Sequence, residues 1–130
     1  MTVHQRFAVL LACAAAITTP VAWAYGGGGG GGSSCAEPKF FSPAPADGST
    51  VASLDRFTFV ASDSEADSLA VEIDGQKVPA NIAPMRNGDL DVTVTPSTPI
   101  TKPGRLRISI TAKSKDGCSG FKPYYIDIKP

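Results

Sequence analysis

The stretch RLRISIT, residues 105–111, alternates polar and apolar side chains without a break. This period of two places Leu106, Ile108 and Ile110 on one face of an extended strand and the polar residues on the other face. The same pattern, or a shorter version of it, recurs at residues 39–42, 56–59, 69–74, 76–80, 90–94 and 124–128. Pro-, Gly- and Asp-rich turns separate these segments, which is typical of antiparallel sheets with one solvent-facing side.

About seven strands fall within residues 35–130, and no segment shows a capped pattern with the helical period. This number of short strands in a domain of this size predicts an all-β, immunoglobulin-like antiparallel β-sandwich.

The N-terminal residues 1–24 predict a cleaved export signal. Arg6 supplies the basic region, residues 7–17 the apolar region, and Ala22-Trp23-Ala24 the small-residue cleavage site. The apolar run is too short for a membrane span. As an alternative, the residues that end at Cys13 resemble a lipidation site, although the apolar run ahead of Cys13 is short. The chain is therefore expected to be periplasmic or secreted.

Residues 25–34 contain seven consecutive glycines followed by two serines. Such a segment buries no apolar surface and predicts a flexible tether, most simply a passive spacer. Residues 35–130 are then expected to form one folded domain.

Charge and composition exclude several classes of function. The chain has 12 basic and 12 acidic residues, and signal cleavage removes only Arg6 from this balance. No basic field is left to attract nucleic acid or anionic lipid. The single histidine, His4, lies in the signal, so the mature chain cannot build a histidine-dependent catalytic site. We therefore expect no enzyme activity and no catalytic residues.

Two cysteines are left after signal cleavage, Cys35 at the start of the domain and Cys118 in the turn before the last strand. In an immunoglobulin-like topology these positions lie at the same end of the sandwich. An even pair in an oxidising compartment predicts a disulfide. The alternative is a pair of thiolates that holds a soft ion such as Cu(I).

Acidic residues alternate in the loop that contains Asp63, Glu65 and Asp67, and this loop is expected at the same end as Asp116. Three carboxylates with backbone carbonyls suit a hard cation such as Ca²⁺. The simpler interpretation is a solvated acidic loop, because the segment lacks the glycine and spacing of an EF-hand.

Aromatic residues occur in adjacent pairs near both cysteines, as Phe40-Phe41 and Tyr124-Tyr125. Alternation cannot bury both members of a pair on one face, so one of each is expected to be exposed. Phe41, Phe121 and Tyr125 are the candidate residues for binding a protein partner or a glycan. Scattered surface aromatics are the alternative.

Short motifs occur at Ala46-Asp47-Gly48, Val71-Glu72-Ile73-Asp74-Gly75, Pro103-Gly104 and Lys115-Asp116-Gly117, and their course along the chain resembles that of bacterial immunoglobulin-like domains. More specifically, Pro45-Ala46-Asp47-Gly48 and Ser114-Lys115-Asp116-Gly117-Cys118 resemble motifs of the CopC-type periplasmic copper-binding proteins. The resemblance implies the same sandwich, with Cu(II) bound by an N-terminal histidine and by the histidine of an Asp-Gly-His motif. Asp116 matches the acidic residue of that motif, but Cys118 replaces its histidine, and the N-terminal histidine is missing.

Together these features predict a non-catalytic module without a cofactor that binds an unknown envelope or extracellular protein. The alternative is a copper- or metal-handling protein related to the CopC-type carriers, with Cys35, Cys118 and Asp116 as candidate ligands. A third possibility is adhesion stiffened by calcium at the acidic loop.

Overall fold

The computed structural model describes residues 35–130. The predicted signal (1–24), with its alternative lipidation site, and the tether (25–34) lie outside this range. The described residues form nine strands and one three-residue 3₁₀ turn, Ala66–Ser68. The strands are β1 (Lys39–Ala44), β2 (Thr50–Val51), β3 (Phe57–Ser62), β4 (Ala70–Ile73), β5 (Gln76–Val78), β6 (Ala80–Pro84), β7 (Leu90–Val94), β8 (Gly104–Lys113) and β9 (Ser119–Ile128).

Two sheets make up the architecture. One has four strands in the order β1-β3-β7-β6, and the other has five in the order β2-β9-β8-β4-β5. All pairs are antiparallel except β2 with β9. The predicted all-β sandwich is confirmed.

The longest pairing joins β8 to β9 over ten residues of each strand. The alternation of residues 105–111 holds throughout: Leu106, Ile108 and Ile110 are buried, whereas Arg105 and Arg107 are exposed. This pair therefore gives the five-stranded sheet one apolar face and one polar face.

Side chains from both sheets form the core between them. The ring of Phe57 lies 5.7 Å from that of Tyr124, and Phe59 meets Phe40 edge to face at 6.1 Å. Burying one such apolar side chain contributes about 1.5–3 kcal/mol. The core thus holds β1 and β3 of one sheet against β9 of the other.

The structure corrects the predicted strand at residues 76–80. This segment is divided between β5, in the five-stranded sheet, and β6, in the four-stranded sheet. Pro79 lies between them and has no backbone N–H to donate to a ladder, so the chain changes sheet at this residue. One further strand, β2, is not predicted from the sequence, because its two residues are too few to show a period.

Helical structure is minor in the described part of the chain. No helix within residues 35–130 has the length and apolar character needed to cross a membrane.

Candidate functional site

A disulfide joins Cys35 to Cys118, with the two Cα atoms 6.0 Å apart. The predicted pairing is therefore confirmed. The buried hydroxyl of Ser114 lies 3.6 Å from the Cys35 sulfur and accepts a hydrogen bond of 3.0 Å from the backbone N–H of Cys118. In this state neither sulfur is a thiolate, so neither is available as a ligand for a soft ion.

An open cleft of about 340 Å³ lies at the cysteine end of the sandwich. Asp63, Glu65 and Asp116, which the sequence analysis expects at one end of the sandwich, line it together with Asp89, whereas Asp67 does not. The backbone N–H of Glu65 donates to the carbonyl of Lys113 at 2.8 Å, which fixes the acidic loop against the end of β8.

The cleft also contains polar residues of other types, including Lys115. Across residues 35–130, no three side chains of the His, Cys, Asp and Glu types converge as a metal site. The carboxylates share the cleft, and a calcium or copper site at these residues stays a prediction.

The adjacent aromatic pairs divide between core and surface as expected. Phe40 is 9% exposed and Phe41 42%, while Tyr124 is 3% exposed and Tyr125 37%. Phe121 is 55% exposed. By strand alternation, Phe121 and Tyr125 lie on the outer face of the five-stranded sheet and Phe41 on the outer face of the other sheet. The three predicted partner-binding residues therefore do not share one face.

Two arginines of β8 lie over the two exposed rings of β9. The guanidinium carbon of Arg105 is 5.9 Å from the ring centre of Tyr125, and that of Arg107 is 5.9 Å from the ring centre of Phe121. Such cation–π contacts hold long side chains in place. We call these four residues the Arg–aromatic face.

One ion pair lies on this face, between Arg105 Nε and Asp127 Oδ1 at 3.0 Å. The hydrogen bond and charge of Asp127 raise the pKa of Arg105 above its ordinary value. Asp127 lies directly opposite Arg105 in the β8–β9 register, and this register cannot be read from the sequence.

Asp47 is a residue whose role the sequence analysis did not identify. Its carboxylate accepts a hydrogen bond of 2.8 Å from the backbone N–H of Tyr125, and the N–H of Gly48 donates to the Tyr125 carbonyl at 2.6 Å. The Pro45–Gly48 motif thus fixes β9 where Tyr125 projects outward. An aspartate before a glycine predicts a turn, but not the strand to which that turn binds.

Comparison with known proteins finds likeness in structure only. No family model matches the chain, and no curated protein matches it. The methionine-rich copper resistance protein PcoC from Escherichia coli superposes with a TM-score of 0.54 at 21% identity, covering 72% of this chain and 100% of PcoC. CopC from Methylosinus trichosporium OB3b gives a TM-score of 0.55 at 16% identity, covering 72% of this chain and 94% of CopC.

The chain has the sandwich fold of these copper resistance proteins. At these identities the likeness establishes the fold alone. The partial resemblance to CopC-type proteins that the sequence motifs indicate is confirmed at this level.

Proposed function

We propose that the chain is a non-catalytic binding module, periplasmic or secreted, that recognises an envelope or extracellular protein. The observation that carries this proposal is the Arg–aromatic face, which exposes two aromatic rings and two arginines on adjacent strands. Tyr and Arg are enriched among the residues that dominate the energy of protein interfaces.

The backbone that carries the Arg–aromatic face is held in place before any partner arrives. Its side chains project from the two longest strands, and Asp47 and Gly48 hold the backbone at Tyr125. A rigid surface loses less conformational entropy on binding than a loop does. This rigidity supports recognition of a partner.

Catalysis is not part of the proposal. Residues 35–130 contain no histidine, and both cysteines are held in the disulfide. The usual nucleophiles and general bases of these two types are therefore missing from the folded domain.

A capture experiment with cross-linking tests the proposed function. The exported chain is immobilised, envelope and culture fractions are passed over it, and captured proteins are identified. The double variant Phe121→Ser/Tyr125→Ser should lose most of the capture, while Met85→Ser, which also changes an exposed apolar residue, should retain it. Equal capture by all three proteins, or no specific capture by the wild type, would contradict the proposal.

The second candidate function is copper or metal handling. The solved neighbours named above are copper resistance proteins, and this finding favours metal handling over a general binding module. The donor set does not fit Cu(II) bound as in the CopC-type proteins, because residues 35–130 contain no histidine and both sulfurs are oxidised. The remaining candidate donors at the cleft are the carboxylates of Asp63, Glu65, Asp89 and Asp116.

Equilibrium dialysis against Cu²⁺, Cu⁺ and Ca²⁺ tests this second function. Retention of one metal ion per chain, lost in Asp116→Asn and kept in Asp127→Asn, would support metal handling at the cleft. If none of the three ions is retained at micromolar concentration, the metal-handling function is contradicted.

A further inference from the structure

The β6–β7 hairpin ends in an exposed turn that contains the pair Asn87-Gly88. The chain has two asparagines, and the other, Asn81, lies inside β6 and is followed by Ile82. The side-chain carbonyl carbon of an asparagine is an electrophile that the backbone nitrogen of the next residue can attack, with loss of ammonia. Glycine in that next position leaves the nitrogen unhindered, because it has no side chain.

The turn folds the side chain of Asn87 back along the backbone that follows it. Oδ1 of Asn87 accepts a hydrogen bond of 3.0 Å from the backbone N–H of Asp89, two residues on, which makes an Asx turn. Nδ2 of Asn87 donates a second bond of 3.0 Å to Asp89 Oδ2. Cγ of Asn87 and the backbone nitrogen of Gly88 are therefore both members of one hydrogen-bonded ring.

Solvent has access to this turn. Residues 83–88 are all exposed, and a Cβ added at Gly88 would meet no atom within 4 Å. The Gly88 N–H donates to the Met85 carbonyl at 3.0 Å, and this bond has to open before the nitrogen can attack. Because the bond closes the exposed end of a hairpin, its opening is a local event of low cost.

Asn81 differs from Asn87 in both sequence and structure. It is paired in register with Thr93 across the β6–β7 ladder, which holds its backbone extended. The following residue, Ile82, is branched at Cβ and crowds the nitrogen that would attack. Asn81 therefore serves as a control for Asn87 within the same chain.

We propose that Asn87 is a site of spontaneous deamidation. The Gly88 nitrogen gives its proton to solvent hydroxide and forms a bond to Asn87 Cγ, the Cγ–Nδ2 bond breaks, and ammonia leaves. Water then opens the resulting cyclic imide at either carbonyl, which gives aspartate or isoaspartate at this position. Water is consumed and ammonia is released, and the step needs no oxidant, reductant or enzyme.

The modification changes the charge of the cleft at the cysteine end. Asn87, Gly88 and Asp89 line this cleft together with Asp63 and Asp116. A carboxylate at position 87 replaces the amide that donates to Asp89 Oδ2, so an attractive contact becomes a repulsion between like charges. Deamidation therefore adds a negative charge to the cleft and loosens the turn.

Peptide mapping by mass spectrometry tests the site. The folded full chain is incubated at mildly alkaline pH and digested with trypsin, which places the two asparagines in separate peptides, 78–86 and 87–105. Peptide 87–105 should gain the mass difference between OH and NH₂ over time, as separable aspartate and isoaspartate forms, while peptide 78–86 stays unchanged. A digest made before incubation corrects for reaction during digestion.

Further comparisons assign the reaction to the turn. Asn87→Gln should abolish the mass gain, because the longer side chain does not readily form the cyclic imide. Wild type should react at most about tenfold more slowly when folded than when unfolded in urea, since a hairpin end opens at low cost. Hydrogen exchange at the Gly88 amide should be faster in Asn87→Asp than in wild type, and unchanged in the matched variant Asn81→Asp.

A peptide 87–105 that stays unmodified in the folded chain, while the unfolded chain reacts, would overturn the inference. An equal mass gain in peptide 78–86 would also overturn it, because the turn would then confer no selectivity. Aspartate without isoaspartate would contradict the cyclic route, and equal hydrogen exchange in Asn87→Asp and wild type would contradict the loosening of the turn.

Discussion

Tyr124 shows how a single residue connects the two sheets. Its ring packs against Phe57, and its hydroxyl donates a hydrogen bond of 3.1 Å to the carbonyl of Phe40. Burial, and secondarily the charge of Asp47, raise the pKa of Tyr124 above its ordinary value. The hydroxyl thus satisfies a carbonyl of β1 from a strand of the other sheet.

Replacing Tyr124 by phenylalanine should lower the free energy of unfolding by about 1 kcal/mol, because the Phe40 carbonyl loses a buried donor. Urea denaturation provides the measurement. Tyr125→Phe, at the exposed neighbour, should change stability by less than about 0.5 kcal/mol. A larger effect from Tyr125→Phe than from Tyr124→Phe would contradict this account.

The raised pKa of Tyr124 also predicts that the stability of the domain depends on pH in the alkaline range. The unfolded chain loses the tyrosine proton near pH 10, whereas the folded chain holds it to a higher pH. The contribution of Tyr124 to the free energy of unfolding is complete below about pH 10 and decreases as the pH rises above that value. Denaturation between pH 8 and 11 should show a decrease that is smaller in Tyr124→Phe; an identical decrease in both proteins would exclude Tyr124 as its cause.

Gly120 is required by close packing. A Cβ atom at this position would lie 2.7 Å from the Pro38 Cβ and 2.8 Å from the Pro38 carbonyl oxygen. Gly120→Ala should therefore destabilise the domain by about 1–3 kcal/mol, measured by thermal melting. Ser119→Ala, at the exposed preceding residue, serves as the control, and equal stability of the two variants would contradict the predicted clash.

At the level of elements, alternation predicted the strands well wherever each strand stays in one sheet. β8 and β7 follow their patterns closely, because burial of one face determines which residues are apolar. The change of sheet at Pro79 was not predictable, since it depends on tertiary pairing. β2 has no period to detect.

The candidate site was predictable to a similar extent. Alternation predicted that one of each aromatic pair is exposed, and the immunoglobulin-like topology predicted that Cys35 lies beside Cys118. The contacts of Arg105 and Arg107 depend on the register between β8 and β9 and on side-chain direction. Neither the register nor the direction of these side chains can be read from a local sequence pattern.

The disulfide connects the start of the domain to the β8–β9 turn, across 83 residues of sequence. In the chain-entropy model, removing a cross-link of this span costs about 4–5 kcal/mol of stability. The double variant Cys35→Ser/Cys118→Ser should show this loss in denaturant, while Asp116→Asn in the same turn should be near neutral. A double variant as stable as the wild type would contradict the structural role of the disulfide.

At the level of the whole molecule, the fold and the residues of the candidate sites are separate sources of information about function. The fold is that of copper resistance proteins, with TM-scores of 0.54 and 0.55 to PcoC and CopC. The described residues place a disulfide and an acidic cleft at one end and the Arg–aromatic face on the outside of the five-stranded sheet. Since one fold hosts many functions, the residues at these sites are the basis for the proposed binding role.

Native mass spectrometry of the chain, purified without reductant and incubated with Cu⁺ and Cu²⁺, tests the central claim most directly. The account predicts a mass lighter than the fully reduced chain by two hydrogen atoms, with no metal ion retained. A chain that holds one copper ion and loses it in Asp116→Asn or in Cys35→Ser/Cys118→Ser would contradict the account and support the metal-handling function instead.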